Sequence, residues 1–196
     1  MAKLSWGKVL TGVAATVVAG AAYVYLKQRT AKAPMHEVLL ADGACELRQY
    51  PALHIIETIQ HGSRDRALGN GFGLLADYMF GEGRDGDEIP IVMPVLTAPA
   101  AAGGWRIRFI IADEYLPLSK APGEGIIAGD IPARQVAAIA VPGKATDRAF
   151  AARTAELERW VAALDRVAAG PAEHAYYNSP LKPGLNRANE ILIPLL

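Results

Sequence analysis

The chain has 196 residues, 52% of them hydrophobic and 20% charged, and its 20 Lys+Arg balance 20 Asp+Glu. No net field favours a polyanion, so a nucleic-acid partner is not expected. The single cysteine, Cys45, excludes an internal disulfide and any site built from several thiolates, and it leaves the compartment open.

The first element in chain order is an uncharged apolar run from Val9 to Leu26. As a helix at ~1.5 Å per residue it would span about 27 Å, close to the hydrocarbon thickness of a bilayer. Trp6, Tyr23 and Tyr25 lie near its ends, where aromatic rings favour the interface. Basic residues flank both sides (Lys3 and Lys8; Lys27, Arg29 and Lys32), so sidedness stays undecided. The small residues Ala19 to Ala21 also suit a cleaved signal, but the apolar run continues past them, and a retained transmembrane anchor over residues 1–32 is expected. A single domain should occupy residues 33–196.

Within that domain, Ala44 to Gly62 is rich in β-branched and aromatic residues with partial alternation, which predicts one or two strands bent at Pro51. Residues 64–80 place Leu68, Phe72, Leu75 and Met79 on one helical stripe, despite Gly69, Gly71 and Gly73. The stretch Gly69 to Gly73 superficially resembles a phosphate-binding glycine loop, but it lies within the helix and lacks the acidic residue about 20 positions further on. The acidic stretch Gly81 to Glu88 has no calcium-loop spacing and reads as a solvated turn. Ile89 to Thr97 and Trp105 to Tyr115 form a strand pair, the second with Ile107, Phe109 and Ile111 inward and Arg106 and Arg108 outward. Arg134 to Gly143 is a further strand. An amphipathic helix then runs from Thr146 to Ala169, capped by Thr146 or Asp147 and ended by Gly170 and Pro171. The apolar end of the chain, Ile191 to Leu196, reads as a buried last strand.

The segments His61 to Phe72 and Pro142 to Arg153 both carry Asp-Arg-Ala and an apolar residue after a strand end and a glycine. The expected fold is therefore α+β, with two similar strand-helix-strand halves closing one curved sheet, mixed or antiparallel, and "IPIVMPV" matched by "EILIPLL".

Little in the sequence points to catalysis. The four histidines form no HxxxH or HExxH pair, and no serine lies in GxSxG. With no acid/base pair or activated nucleophile in view, an enzyme is not expected. The remaining mixture is an apolar helix face (Leu68, Phe72, Leu75, Tyr78, Met79) and a late loop with Tyr176, Tyr177, Lys182 and Arg187. Rings and a thioether beside cations could line a cleft for a flat apolar ligand bearing carboxylates.

Cys45 to Thr58, Gly71 to Thr97, Trp105 to Pro122 and Tyr176 to Ile193 follow, in order and spacing, the pattern of the SOUL family of heme-binding proteins, which the chain resembles from about Cys45 to Leu195. The most specific part is the closing Tyr177, Asn178, Pro180, Arg187, Asn189 and Glu190. The resemblance implies a distorted antiparallel β-barrel with two flanking helices, and non-covalent binding of heme or a related tetrapyrrole. It places the ligand beside the first helix and near the loop before the last strand: Leu68, Phe72, Leu75, Tyr78, Met79, Tyr176, Tyr177 and Lys182. Some members carry a heme-ligating His where this chain has Gln49, so an iron would need another ligand, with His54, His174 or a tyrosinate as candidates. Two further readings remain: an accessory or interaction subunit of a membrane complex, and a sensor of apolar small molecules.

Overall fold

The computed structural model describes residues 36–80, 88–101, 103–118, 121–143, 146–177 and 189–196. The expected anchor, most of the acidic turn, and Lys182 and Arg187 lie outside the described residues. Among those described, no helix is long and apolar enough to cross a membrane.

Nine strands of the described residues form one antiparallel sheet: β1 (Glu37–Asp42), β2 (Cys45–Tyr50), β3 (Leu53–Gln60), β4 (Val92–Pro99), β5 (Trp105–Ile111), β6 (Ile127–Ile131), β7 (Arg134–Ala140), β8 (Glu173–Tyr176) and β9 (Asn189–Pro194). Two helices accompany them, α1 (Arg64–Phe80) and α2 (Asp147–Ala163), with a 3-10 turn at Asp113–Tyr115. The strand order is β1-β2-β7-β9-β8-β4-β5-β3-β6. The halves are β3-α1-β4-β5 and β7-α2-β8-β9, and they meet where β4 pairs with β8 at Leu96 and Ala175. The two halves share one element order, in which β4 corresponds to β8 and β5 to β9, so "IPIVMPV" does not match the terminal strand. Each half is also preceded by a strand and a Pro-Ala turn, Pro51-Ala52 and Pro132-Ala133. These leading strands are exchanged, since β2 pairs with β7 and β6 with β3.

The expected closed barrel is corrected to an open sheet, with β1 and β6 as its unpaired edges. Both edges are mostly exposed and carry charge, Glu37 and Asp42 on one and Asp130 on the other, features that discourage edge-to-edge pairing. The sheet nevertheless buries both faces. α1 packs on β3 and β5, and α2 on β7 and β9, over a core that includes Leu75, Met79, Phe109, Phe150, Leu157 and Ile191. The opposite face buries Tyr50, Ile55, Leu96, Ile110, Val136 and Leu192 with no helix of the described residues over them, so the sheet must curl on itself to exclude water there.

Helix α1 begins and ends where its apolar period does. Helix α2 starts as expected, with the Thr146 hydroxyl accepting from the Ala149 N–H at 3.1 Å, but it stops at Ala163. Asp165 takes φ 52, the left-handed conformation that ends helices, before Gly170 is reached.

Candidate functional site

The stripe expected to face a ligand faces the sheet. Leu68, Phe72, Leu75 and Met79 are all buried, Leu75 and Met79 completely, and Phe72 lies edge-on to Phe109 with centroids 5.1 Å apart. The cleft expected along this stripe is filled by side chains from the sheet, because a two-layer fold needs that face for its own core. Gly71 marks how closely the layers meet: a Cβ there would lie 2.9 Å from two atoms of Ile107.

The accessible apolar surface of α1 is its flank. Leu74, Tyr78 and Phe80 are half-buried. The chain after β5 supplies Tyr115, Leu116, Leu118 and Ile126, also half-buried and packed against the same core, and a Cβ at Gly125 would sit 3.7 Å from Leu74 Cδ2. By strand alternation His54 shares the helix-bearing face of β3 with Ile56. Its Nδ1 is hydrogen-bonded to the Asp130 carboxylate, its Nε2 lies 3.9 Å from Asp113, and its side chain is 40% exposed. A carboxylate at one imidazole nitrogen is the usual second contact of a metal-ligating histidine, and here it leaves Nε2, beside Asp113, as the nitrogen for a ligand. No group of three potential metal ligands occurs among the described residues.

His174 is a different kind of group. It stacks on Phe150 at 4.1 Å and 11°, and the Arg64 guanidinium lies 4.6 Å from the same ring, so Phe150 is sandwiched between them. Burial, reinforced by the nearby Arg64 charge, pushes His174 down to about 4, and its Nδ1 has no hydrogen-bond partner. This is a neutral core imidazole, closed off from any ligand. Tyr176 lies beside it, edge-on to Phe150 at 5.8 Å.

Tyr177, one residue on, points through the other face of the sheet. Its hydroxyl donates to Glu190 Oε2 at 2.6 Å, and Arg48 donates to both Glu190 oxygens at 2.9 Å. Arg48 also reaches Glu46 at 2.7 Å and the Tyr50 hydroxyl at 3.4 Å. Burial alone would raise the Glu190 carboxyl, but the bonds from Arg48 and Tyr177 outweigh it and hold the group below the usual carboxylate range. Burial raises both Tyr176 and Tyr177, which makes neither a ready tyrosinate. The cluster borders a cavity of about 390 Å³ with His36, Val141, Pro142 and Asn189. Tyr177 and Glu190, from the most specific sequence motif, therefore meet Arg48 across 142 positions in a structural clamp. Gln49, where some relatives carry a ligating His, donates to the Tyr50 carbonyl at 3.1 Å.

The expected site residues that are described thus divide among four places: the core under α1 (Leu68, Phe72, Leu75, Met79), the core against Phe150 of α2 (Tyr176), the flank of α1 (Tyr78), and the opposite face of the sheet (Tyr177). His54 and Asp130 come together only through the β3–β6 pairing, which the sequence did not reveal.

Among curated proteins nothing matches the sequence. Among solved structures, the cryo-EM structure of an EcmrR–DNA complex is similar at TM-score 0.58 and 12% identity, over 96% of this chain and 68% of the other. The crystal structure of the EcmrR C-terminal domain is similar at TM-score 0.53 and 12% identity, over 83% and 98%. That of a hydrolase from Listeria innocua gives TM-score 0.51 and 14% identity, over 81% and 94%. At these identities the likeness establishes the fold alone. Residues 31–194 match the family of SOUL heme-binding proteins, over nearly the whole described domain, and the chain belongs to that family.

Proposed function

We propose that the protein binds heme or a related tetrapyrrole non-covalently on the flank of α1, and sequesters or hands it over at a membrane surface to which residues 9–26 anchor it. Membership of a heme-binding family supports the ligand class. The observation that carries the location is the half-exposed apolar strip of Leu74, Tyr78, Tyr115, Leu116 and Ile126. A porphyrin face would remove this surface from water at no cost to the core. In this reading Leu68, Phe72, Leu75 and Met79 form the packed wall behind the pigment, while His54, oriented by Asp130, supplies an iron ligand in place of the residue at Gln49.

The test is a hemin titration of the full-length protein in nanodiscs, read at the Soret band. Saturable binding should weaken by about tenfold or more in Leu74→Asp, which puts a charge against the porphyrin face. His54→Ala should move the Soret maximum. Equal binding by Leu74→Asp, with the fold intact by circular dichroism, would exclude this location.

A further inference from the structure

On the side of the sheet opposite the helices, five charged side chains form a ladder that begins and ends on arginine. Arg106 Nε lies 3.5 Å from Glu57, and Arg108 Nε donates to Glu57 at 2.8 Å. Arg108 Nη1 donates to Glu173 at 3.0 Å, and Arg134 donates to both Glu173 oxygens. Glu173 is 4% exposed, so its charge is fully engaged by two guanidinium groups. Three cations against two anions leave one positive charge in excess. Arg106 Nε and Arg134 Nε are buried and have no hydrogen-bond partner, but the Arg106 side chain is 31% exposed, so the hydrogen-bonding capacity a ligand can reach lies in its outer N–H groups. Among the described residues the Arg106 side chain makes no ion pair closer than its 3.5 Å approach to Glu57. An arginine so loosely held in a partly desolvated place is a donor set waiting for an acceptor.

Both ends of the ladder open on one cavity of about 510 Å³, within the range of small-molecule sites. Arg106, Arg108, Arg134 and Glu173 line it together with apolar Ile131, Pro132, Pro171 and Leu195. Asp130 also borders it, but its carboxylate is engaged by His54 on the helix-bearing face. The cavity lies among β5, β8, β9 and the β6–β7 turn, apart from the Leu74–Tyr78 strip proposed for the tetrapyrrole.

We infer that this cavity is a second binding site, for a small amphipathic monocarboxylate whose head takes the outer N–H groups of Arg106 and whose body lies on the Pro132, Pro171 and Leu195 surface. One such charge neutralises the ladder. A lipophilic cation would add to its excess.

The probe is 4-fluorobenzoate, followed by ¹⁹F line broadening with the full-length protein in nanodiscs. Saturable broadening is expected, competed by unlabelled benzoate and absent for the cation 4-fluorobenzylamine. Arg106→Gln removes only a loose ion pair, so it should keep the melting temperature while weakening the probe by about tenfold or more, as loss of a charge-assisted bond implies. Saturating hemin should leave the probe bound, whether or not hemin itself occupies the flank of α1. Absent saturation, equal binding of the benzylamine, an unchanged Arg106→Gln titration, or displacement of the probe by hemin would each overturn the assignment.

Discussion

Replacing Glu190 by alanine tests whether the most specific sequence motif is a structural clamp. The change removes two Arg48 bonds of 2.9 Å and the 2.6 Å Tyr177 bond at once. Arg48 is left 8% exposed with only Glu46, whose side chain is 36% exposed, and a 3.4 Å contact to the Tyr50 hydroxyl. Breaking a buried ion pair from one side costs ~3–5 kcal/mol, because the surviving charge stays desolvated. Since Glu46 still accepts from Arg48, the lower end applies, about 3 kcal/mol. Glu190→Gln keeps an acceptor and should cost about half as much. The double variant Arg48→Met, Glu190→Leu should lose much less than the sum of its single changes, with a coupling of about 2 kcal/mol. Urea unfolding of the full-length protein, followed by tryptophan fluorescence, measures all four corners of the cycle. A loss below about 1 kcal/mol for Glu190→Ala, or additive single changes, would refute the clamp.

Three further outcomes follow from named residues. His174 is held near 4 in the fold against about 6.5 unfolded, so between these values the unfolded chain binds the extra proton. Its contribution is fully present above pH 6.5 and lost as pH falls through 4; stability should rise by about 3 kcal/mol over that window, and His174→Phe should flatten the rise in urea titrations at stepped pH. Gly71→Ala gains up to ~1 kcal/mol of helix propensity but forces a Cβ to 2.9 Å from Ile107, which is fully buried. Overpacking at ~1–3 kcal/mol wins, and the unfolding midpoint should fall. Gly69→Ala, with nothing within 4 Å of the new Cβ, should raise it instead.

The parts of this fold that were legible in the sequence are those governed by local period. Helix α1, the β4–β5 pair and β7 carry their apolar spacing along one segment, and the Thr146 cap is a local signal. The strand β8, four residues "EHAY", was missed because it is short and opens on two ionisable groups. Its burial comes from neighbours far away in sequence. The end of α2 was misplaced because Asp165 adopts φ 52 without a glycine to announce it. Arg106 and Arg108 alternate outward as expected, but outward here means the inside of a curled sheet, where Glu57, Glu173 and Arg134 meet them. The stripe on α1 posed the opposite problem. Apolar spacing identifies a face that must be covered, but it does not say whether the cover is a ligand or the protein itself, and Phe109 and Ile107 took that place.

The location proposed for the pigment is most directly tested by amide resonances of the isotope-labelled full-length protein on addition of ferric hemin, whose paramagnetism broadens signals near the iron. Loss of signal should centre on His54, Leu74, Tyr78 and the stretch from Tyr115 to Ile126, with Arg48, Glu190 and Arg106 still sharp. Broadening centred on the Glu190 clamp or the Arg106 cavity, or spread evenly over the surface, would contradict it.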